Sequence, residues 1–361
     1  MVNLDDIQIY KVLDPENMRE HLHGLPQQCR AAWRKTKYFQ LPKDYAKIDK
    51  VIILGMGGSA IGGDLVRSLF LSKKKPIIFV NRDYELPAFV DDRTLVIASS
   101  YSGNTEETLS AFSQALQKKC KKLVMTTGGR LKELAEDAGV PVFLIDYVAQ
   151  PRAAVGYGFM FLIAFLQKLG FIEDKKAEVE AMIQDLEKLL AELKETVYTS
   201  SNQAKQLAAR LHGKIAVIYG AGILTEVAHR WKTQINENSK TWAFYETFSE
   251  LNHNAVVGYQ FPQELASRIH VVMLRCPSLH PRILIRYQVT GELLEQSGIS
   301  HQTIDSQGKS ELSQTMGLVY LGDWVSYYLA ILYEIDPTPV KAIDYLKKRL
   351  SQTKKGGESN D

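Results

Sequence analysis

The chain has 361 residues, of which 45% are hydrophobic and 24% are charged, and its formal net charge is +3. This composition indicates a folded globular protein that is long enough for two domains. The small net charge gives no reason to expect a nucleic-acid or membrane partner. No uninterrupted apolar run reaches the ~18 residues that a membrane-spanning helix needs.

The cysteines and the first residues bear on the compartment. Cys29, Cys120 and Cys276 are far apart and odd in number, and they lack CxxC spacing. They are therefore expected to be reduced structural thiols, and no metal-site spacing is visible among Cys and His. The N-terminal segment is acidic and mixed in polarity, unlike a signal peptide. These features lead us to expect a cytoplasmic protein.

The first half of the chain alternates short apolar strands with helices. Residues 1–48 are predicted to form a helical N-terminal segment. Continuous apolar runs then predict strands at 50–54, 76–81, 94–100, 122–127 and 141–146. Such strands, separated by helices, are typical of a parallel sheet that is covered on both faces. We therefore expect a doubly wound α/β domain at 49–150.

The pattern changes after Pro151. Residues 151–210 are predicted to be connecting helices, an apolar one buried in the core and an amphipathic one at 174–206. Alternation then restarts with strands at 214–222 and 270–277, which predicts a second α/β domain at 211–335. A C-terminal helix and a frayed tail should occupy 336–361. The two halves share a lysine, an apolar strand, a glycine turn and a helix; this favours a duplicated fold, although any two doubly wound domains have this outline.

A glycine-rich turn, GMGGSAIGG, follows the first strand at residues 55–63. Glycines at this place let backbone amides approach an anion, and the start of a helix adds a favourable dipole. Ser59 would add a hydroxyl donor. Only the looser GxGxxA spacing of the dinucleotide fingerprint is present. A nicotinamide site and a purely structural turn therefore remain alternatives.

A second polar loop, SSYSGNTEET, lies at residues 99–108 between a buried strand and a helix start. Ser100, Ser102 and Thr105 offer three neighbouring hydroxyls, which together with free amides suit a phosphate monoester. Ordinary helix capping is the alternative, but capping needs only one hydroxyl. The chain has no GxxxxGK[ST] motif, so a nucleoside triphosphate loop is not expected.

This loop strongly resembles the phosphate loop of the sugar isomerase (SIS) fold. Together with GMGGSAIGGD, PRAAVGYGF, NENSK and ELNHN, it makes the chain resemble the bifunctional phosphoglucose/phosphomannose isomerases from about residue 14 to residue 350. The resemblance implies an α/β fold of two SIS-type doubly wound parallel-sheet subdomains with helical N- and C-terminal extensions. It further implies interconversion of glucose 6-phosphate and/or mannose 6-phosphate with fructose 6-phosphate through a cis-enediol, with no cofactor and no metal.

The resemblance also implies roles for individual residues. Glu237 would be the catalytic base, Arg152 the active-site arginine, and His253 the ring-opening histidine, supplied by the neighbouring subunit of a homodimer. Lys347 is the preferred C-terminal site lysine, with Lys341 and Lys348 as alternatives, and Thr338 would leave room for both C2 epimers. The contacts with the substrate phosphate would come from Gly58, Ser59, Ser100, Ser102 and Thr105.

The chemistry supports these residue types independently of the resemblance. Aldose–ketose isomerisation moves one proton between C1 and C2, which a carboxylate with a moderately raised pKa can do. A fixed cation such as Arg152 can stabilise the enediolate, and a histidine titrates in the range needed for ring opening. From the residues alone, a solvated helix glutamate at 237, a surface arginine at 152 and a structural histidine at 253 remain open interpretations.

Three other functions compete with an isomerase. A non-catalytic sugar-phosphate sensor could use the same loops, but it would not need Arg152, Glu237 and His253. An amidotransferase-like isomerase would need a glutaminase domain with an N-terminal cysteine, which residues 1–48 do not provide. A nicotinamide oxidoreductase is disfavoured by the hydroxyl-rich second loop.

Overall fold

Two parallel β-sheets organise the molecule, and the structure is a computed structural model that describes residues 2–71 and 76–353. The strands are β1 Lys50–Leu54, β2 Ile77–Asn81, β3 Thr94–Ser99, β4 Lys121–Thr126, β5 Val142–Leu144, β6 Ile215–Gly220, β7 Ala243–Thr247, β8 Ile269–Arg275 and β9 Ser300–Asp305. The first sheet has the order β2-β1-β3-β4-β5 and the second the order β7-β6-β8-β9, with all of these neighbours parallel. The expected α/β architecture of two parallel-sheet units is confirmed.

Helices surround both sheets and connect them. They are α1 Gln8–Leu13, α2 Met18–His23, α3 Leu25–Tyr38, α4 Gly57–Phe70, α5 Glu106–Leu116, α6 Gly129–Asp137, α7 Val155–Lys168, α8 Lys176–Leu193, α9 Gln203–Leu211, α10 Thr225–Ser239, α11 Pro281–Gln296, α12 Glu311–Leu332 and α13 Lys341–Gln352. Among the residues that the structure describes, no helix has both the length and the apolar character required to cross a bilayer. Two short 3₁₀ helices, Pro151–Ala154 and Glu250–His253, carry residues singled out by the sequence.

The sequence predicts all five strands of the first sheet but only β6 and β8 of the second. Both missed strands, β7 and β9, are edge strands. Their sequences, AFYET and SHQTID, contain polar residues, so neither presents a continuous apolar run. Interior strands of a parallel sheet are covered on both faces and therefore read as apolar runs, whereas edge strands do not need to.

The two sheets repeat one strand order. Replacing β1, β2, β3 and β4 with β6, β7, β8 and β9 converts the order of the first sheet into that of the second, with β5 as an addition at one edge. In each half a glycine follows the central strand and a helix begins within a few residues. The shared topology supports the duplication that the sequence suggested.

The connection between the sheets differs from the expectation in one respect. The apolar helix α7 is buried along most of its length, as predicted. The single amphipathic helix predicted at 174–206 is wrong, because α8 ends at Leu193 and α9 begins at Gln203. Asn202 makes the break favourable, since its Nδ2 donates to the carbonyl of Leu193 and its Oδ1 accepts from the amide of Lys205. Its amide side chain thus caps both helices.

The long helix α12 lies in the core and packs against α8, α9 and α10. Nearly all of its residues are buried, which is typical of a helix that is apolar on every side. Two sets of polar contacts join it to α10: Arg230 bonds to Asp323 at 2.7 and 3.1 Å, and the Trp231 indole N–H donates to the carbonyl of Leu318 at 2.8 Å. These contacts fix α10, which carries Glu237.

The exact boundaries of the five segments predicted from the sequence stay a prediction. The strands of the first sheet lie between residues 50 and 144, and those of the second between 215 and 305. The tail predicted to be frayed lies outside the described residues from position 354 onwards. Cys29, Cys120 and Cys276 are free and buried, as expected.

We predict that Gly322→Ala destabilises the protein because Gly322 lies against the ring of Trp231. A methyl group at this position would lie 2.3 Å from the indole Nε1, and an overpacked core of this kind typically costs ~1–3 kcal/mol. Gly317→Ala, in the same helix, is the matched control, since nothing lies within 4 Å of its added methyl group. Alanine there should be neutral or stabilise the helix by up to ~1 kcal/mol. Urea midpoints measure both effects, and equal midpoints for the two variants would contradict this packing.

Candidate active site

The glycine turn after β1 brings two other loops close to the start of α4. A Cβ atom at Gly58 would lie 2.8 Å from the backbone nitrogen of Arg152, and one at Gly55 would lie 2.8 Å from the carbonyl oxygen of Ser99. Side chains at these two positions would therefore push the loops apart. Glycine is required here by close approach of the backbones, so the turn, the end of β3 and the 151–154 helix converge on one place.

The hydroxyl-rich loop is joined to this turn by hydrogen bonds. Ser99 Oγ donates to the carbonyl of Ser59 at 2.8 Å, and the amide of Tyr101 donates to Ser59 Oγ at 3.0 Å. Ser100 Oγ lies 2.9 Å from Thr105 Oγ1. Ser59, Ser100 and Thr105, three of the predicted phosphate-binding residues, therefore belong to one bonded loop pair.

Helix capping does not account for these hydroxyls. Thr105 is the N-cap residue of α5, yet its side chain makes no capping hydrogen bond. Ser102 is exposed, and its Oγ accepts only from the amide of Asn104 at 3.3 Å. The first turn of α5 consequently has amides without a side-chain cap next to hydroxyl groups. This arrangement suits an anion at a helix N-terminus.

Arg152 is the most heavily bonded residue of the site and is only 2% exposed. Its Nε donates to Asn238 Oδ1 at 2.7 Å, and its Nη2 donates to the carbonyls of Pro337 and Thr338 at 2.9 and 2.7 Å. Its Nη1 lies 3.5 Å from Glu237 Oε2. Arg152 is therefore not a surface arginine, because it joins the 151–154 helix to α10 and to the 337–338 turn.

The charge on Arg152 is buried away from solvent. Burial lowers the pKa of its guanidinium, while the carboxylate of Glu237 acts in the opposite direction. A second arginine, Arg230, donates to the carbonyl of Arg152 at 3.0 Å and is itself neutralised by Asp323. Burial is the main influence on the Asp323 carboxyl and raises its pKa, and Arg230 partly offsets this. These partners fix the guanidinium in one orientation.

Glu237 lies in the last turn of α10 with about a quarter of its side chain exposed. Its neighbours face the protein: Asn238 Nδ2 donates to Ser326 Oγ at 2.9 Å, and Ser239 Oγ donates to the carbonyl of Ser326 at 2.8 Å. These bonds to α12 determine how the end of α10 is rotated. Glu237 is thus left beside Arg152 and partly open to solvent, rather than on a fully solvated helix face.

Thr338 lies next to this pair. It is 4% exposed, its carbonyl accepts from Arg152, and its amide donates to Asp336 Oδ1 at 2.9 Å. Its hydroxyl Oγ1 is buried without a hydrogen-bond partner among the described residues. A buried hydroxyl without a partner is costly. It marks a place where a bound molecule or water could supply the missing hydrogen bond.

Two predicted catalytic residues, His253 and Lys347, make no side-chain hydrogen bond or ion pair with the described residues of this cluster. His253 is exposed, in the connection between β7 and β8, and no hydrogen bond or ion pair links its side chain to any residue that the structure describes. Lys347 is on α13, a helix without buried residues. The alternatives Lys341 and Lys348 are exposed on the same helix, so the structure does not choose among the three lysines.

Sequence reasoning missed Lys240, Asn238 and Arg230. Asn238 and Lys240 are part of the NENSK motif, so the motif itself contained the signal, but only Glu237 was given a role. Lys240 Nζ donates to the carbonyls of Glu237, Asn238 and Pro337 at 2.9, 3.1 and 2.7 Å. Arg230 gave no signal, because one arginine in a mostly polar helix resembles any solvated residue.

One group of possible metal ligands lies outside this site. Ligand atoms of Asp64, Glu226 and His229 all lie within 4.8 Å of one another. Two arginines already neutralise the carboxylates: Arg67 pairs with Glu226, and Arg82 pairs with Asp64. His229 also contacts Glu226, at 3.1 Å. The group is an ion-pair network between α4 and α10, and it joins the two halves of the molecule.

Comparison with known proteins agrees with this architecture. The SIS domain matches residues 44–161, and the bacterial phospho-glucose isomerase C-terminal SIS domain matches residues 200–350. The structure is similar to that of a hypothetical protein from Thermus thermophilus, with a TM-score of 0.71 and 19% identity over 94% of this chain and 91% of that chain. This likeness shows the fold.

Two curated relatives extend the comparison to the family. A bifunctional phosphoglucose/phosphomannose isomerase of Caldicellulosiruptor bescii is 47% identical over 93% of this chain and 100% of its own length. Its counterpart in Aquifex aeolicus is 35% identical over 89% of this chain and 96% of its own length. With both relatives covered almost completely, the chain belongs to the family of bifunctional phosphoglucose/phosphomannose isomerases.

Proposed function

We propose that the chain is an aldose–ketose isomerase that interconverts glucose 6-phosphate and mannose 6-phosphate with fructose 6-phosphate through a cis-enediol. The observation that carries the proposal is the fixed pair of the Glu237 carboxylate and the buried Arg152 guanidinium, 3.5 Å apart. A carboxylate can move the proton, and a fixed cation can stabilise the charge that develops on the oxygens. A non-catalytic sugar-phosphate sensor would have no use for this pair.

The substrate phosphate would bind between the two loops that the glycine turn joins. Hydroxyl groups and helix N-termini are suitable donors for a phosphate monoester. The Ser100–Thr105 hydrogen bond would open, so that both hydroxyls donate to phosphate oxygens instead. We assign five residues to the phosphate-binding site: Gly58 would bind through its amide, and Ser59, Ser100, Ser102 and Thr105 through their hydroxyls.

The proton transfer balances without a cofactor. From the aldose, Glu237 removes the proton on C2; the C–H electrons form the C1=C2 double bond, the π electrons of C1=O1 move to O1, and O1 takes up a proton. From the enediol, the O2 hydroxyl releases a proton, which offsets the one taken up by O1, as the C2=O2 carbonyl forms; the electrons of the C1=C2 bond then take the proton of Glu237 onto C1. The product is the ketose with the same atoms, because one carboxylate both takes and returns the proton.

Arg152 would act through one nitrogen. Its Nε and Nη2 are occupied by Asn238 and by the carbonyls of Pro337 and Thr338. Nη1, the nitrogen on the Glu237 side, is therefore the one that can donate to enediolate oxygens. Because the other nitrogens are already fixed, little reorganisation is needed as charge develops.

Acceptance of both aldoses requires the proton to return to either face of C2. Rotation about C2–C3 of the enediol achieves this if the site has room near that carbon. The unpartnered hydroxyl of Thr338 supports its assignment to this place, since it could bond to the sugar in either arrangement.

Ring opening by His253 requires a second copy of the chain. The side chain of His253 is exposed and makes no hydrogen bond or ion pair with the described residues around Arg152, which supports a homodimer in which His253 enters the partner's site. Two edge strands carry exposed apolar side chains that a dimer could cover. These are Ile77 and Phe79 on β2, and Phe244 on β7 with Trp242 just before it.

The C-terminal helix α13 also fits a dimer. Ile343, Leu346 and Leu350 lie three and four residues apart, on one face of the helix, and all three are exposed. A face of this kind is usually buried against another element. We infer that a second copy covers it, and that Lys347 approaches a site in the assembled dimer.

The reaction belongs to carbohydrate metabolism. Fructose 6-phosphate and glucose 6-phosphate are intermediates of glycolysis and gluconeogenesis, which take place in the cytoplasm. The free, buried cysteines are compatible with a reducing compartment. Burial raises the pKa of the Cys29 thiol to about 12, so this group is inert at neutral pH.

We predict that fructose 6-phosphate is converted to both glucose 6-phosphate and mannose 6-phosphate, and that EDTA leaves both rates unchanged. Separate coupled assays for the two aldoses measure this. Glu237→Gln should lower kcat by at least ~1000-fold, because the amide cannot accept the proton. Glu133→Gln, an exposed glutamate on α6, is the control and should keep wild-type rates. Absence of both products with the wild-type protein would favour a sensor.

We predict that His253 acts across the dimer interface, and mixed dimers test this. A dimer of one Glu237→Gln chain and one His253→Ala chain contains one site with both residues intact only if His253 comes from the partner. Such a dimer should recover about half of the wild-type activity, since one of two equivalent sites is restored. Two differently tagged chains, co-expressed and purified by both tags, provide the sample. A mixed dimer no more active than the two parent variants would contradict a shared site.

A further inference from the structure

Lys240 closes α10 in an unusual way. Its backbone has φ of 55° and ψ of 26°, the left-handed conformation in which helices commonly end. Glycine is the usual residue there, because a Cβ atom disfavours this conformation. A lysine at this place indicates that its side chain contributes something that glycine could not.

The side chain satisfies three carbonyls at once. Nζ lies 2.9 and 3.1 Å from the carbonyl oxygens of Glu237 and Asn238, which are among the last of α10, and 2.7 Å from that of Pro337. An ammonium group has three N–H donors, and each has an acceptor here. The residue as a whole is exposed, but its charged end is fixed between the helix and the 336–338 turn.

Two cations meet at one carbonyl. The oxygen of Pro337 accepts both from Lys240 Nζ and from Arg152 Nη2, at 2.7 and 2.9 Å. Arg152 is also bonded to the carbonyl of Thr338. Lys240 therefore joins the helix end that carries Glu237 to the turn that carries the unpartnered hydroxyl of Thr338. A change at Lys240 would alter the spacing of these two groups.

We propose that Lys240 is a positioning residue: it fixes the position of Thr338 relative to Glu237 and so influences which face of C2 receives the proton. This inference rests on the proposed isomerase function. Lys240 does not act on the substrate itself, because all three of its donors are engaged by backbone carbonyls. Its effect passes through the 336–338 turn.

The electrostatic surroundings give Lys240 a distinct pH dependence. The charged groups that face it are Arg152 from the 151–154 helix, Glu237 on α10 and Asp336 in the turn. Desolvation, followed by repulsion from Arg152, lowers the pKa of Lys240 to about 8. Above this pH the neutral amine has two N–H donors for three carbonyls, so one hydrogen bond is lost.

The experiment compares Lys240→Met, Lys240→Arg and the control Lys232→Met, on the same helix as Glu237, in the full-length protein. The readout is the ratio of initial rates for mannose 6-phosphate and glucose 6-phosphate formation from fructose 6-phosphate, with kcat and KM for each. Lys240→Met should change the ratio at least ~3-fold and lower kcat by ~10–100-fold. The KM for fructose 6-phosphate should change little, since the residues proposed to bind the phosphate are unaltered. Lys240→Arg should restore most of the ratio, and Lys232→Met should match the wild type.

The pH profile separates positioning from a purely structural cap. In the wild-type protein, the ratio of mannose 6-phosphate to glucose 6-phosphate formation should approach that of Lys240→Met as the pH rises through about 8. The ratio of the variant itself should not change over this pH range. A folded Lys240→Met protein with the wild-type ratio at all pH values would overturn the inference while leaving the isomerase function intact. Equal loss of both products without rescue by arginine would also overturn it. A wild-type protein that forms neither aldose would overturn both the inference and the proposed function.

Discussion

The guanidinium of Arg152 is almost entirely removed from water, and the arrangement of the site depends on how its charge is satisfied. A buried charge is tolerated only when it is paired and hydrogen-bonded. Arg152 obtains its partners from two distant parts of the chain, the end of α10 and the 337–338 turn. The cation can be satisfied only when these segments and its own 3₁₀ helix come together, so the same bonds that stabilise it also assemble the site.

This assembly spans both halves of the molecule. Gly58 brings the first glycine turn against the backbone of Arg152, while Arg230 and Asp323 support the same residue from α10 and α12. The loop that is suited to phosphate therefore belongs to the first sheet, and the carboxylate belongs to a helix of the second. In the proposed mechanism, each half of the duplicated α/β fold would supply one part of the chemistry, and the reaction would take place where the two halves meet.

The sequence predicts the central strands and both loops because these features are local. An interior parallel strand is a continuous apolar run, and a phosphate loop is a cluster of glycines and hydroxyls beside a helix start. The edge strands β7 and β9 escape prediction because their sequences contain polar residues, which an exposed edge permits. The environments of Arg152, Glu237 and Lys240 also escape, since they are defined by partners at positions 326, 337 and 338, far away in the chain. Only the resemblance to a family could single out Arg152 and Glu237, and it said nothing about Lys240.

A crystal structure of the Glu237→Gln protein with fructose 6-phosphate bound would test the proposed site most directly. We expect phosphate oxygens within hydrogen-bonding distance of the hydroxyls of Ser100, Ser102 and Thr105. We also expect C1 and C2 of the sugar to lie beside this pair, within reach of both residue 237 and Nη1 of Arg152. A sugar phosphate bound with C1 and C2 away from Arg152, or with its phosphate outside the hydroxyl loop, would contradict the proposed roles of these residues.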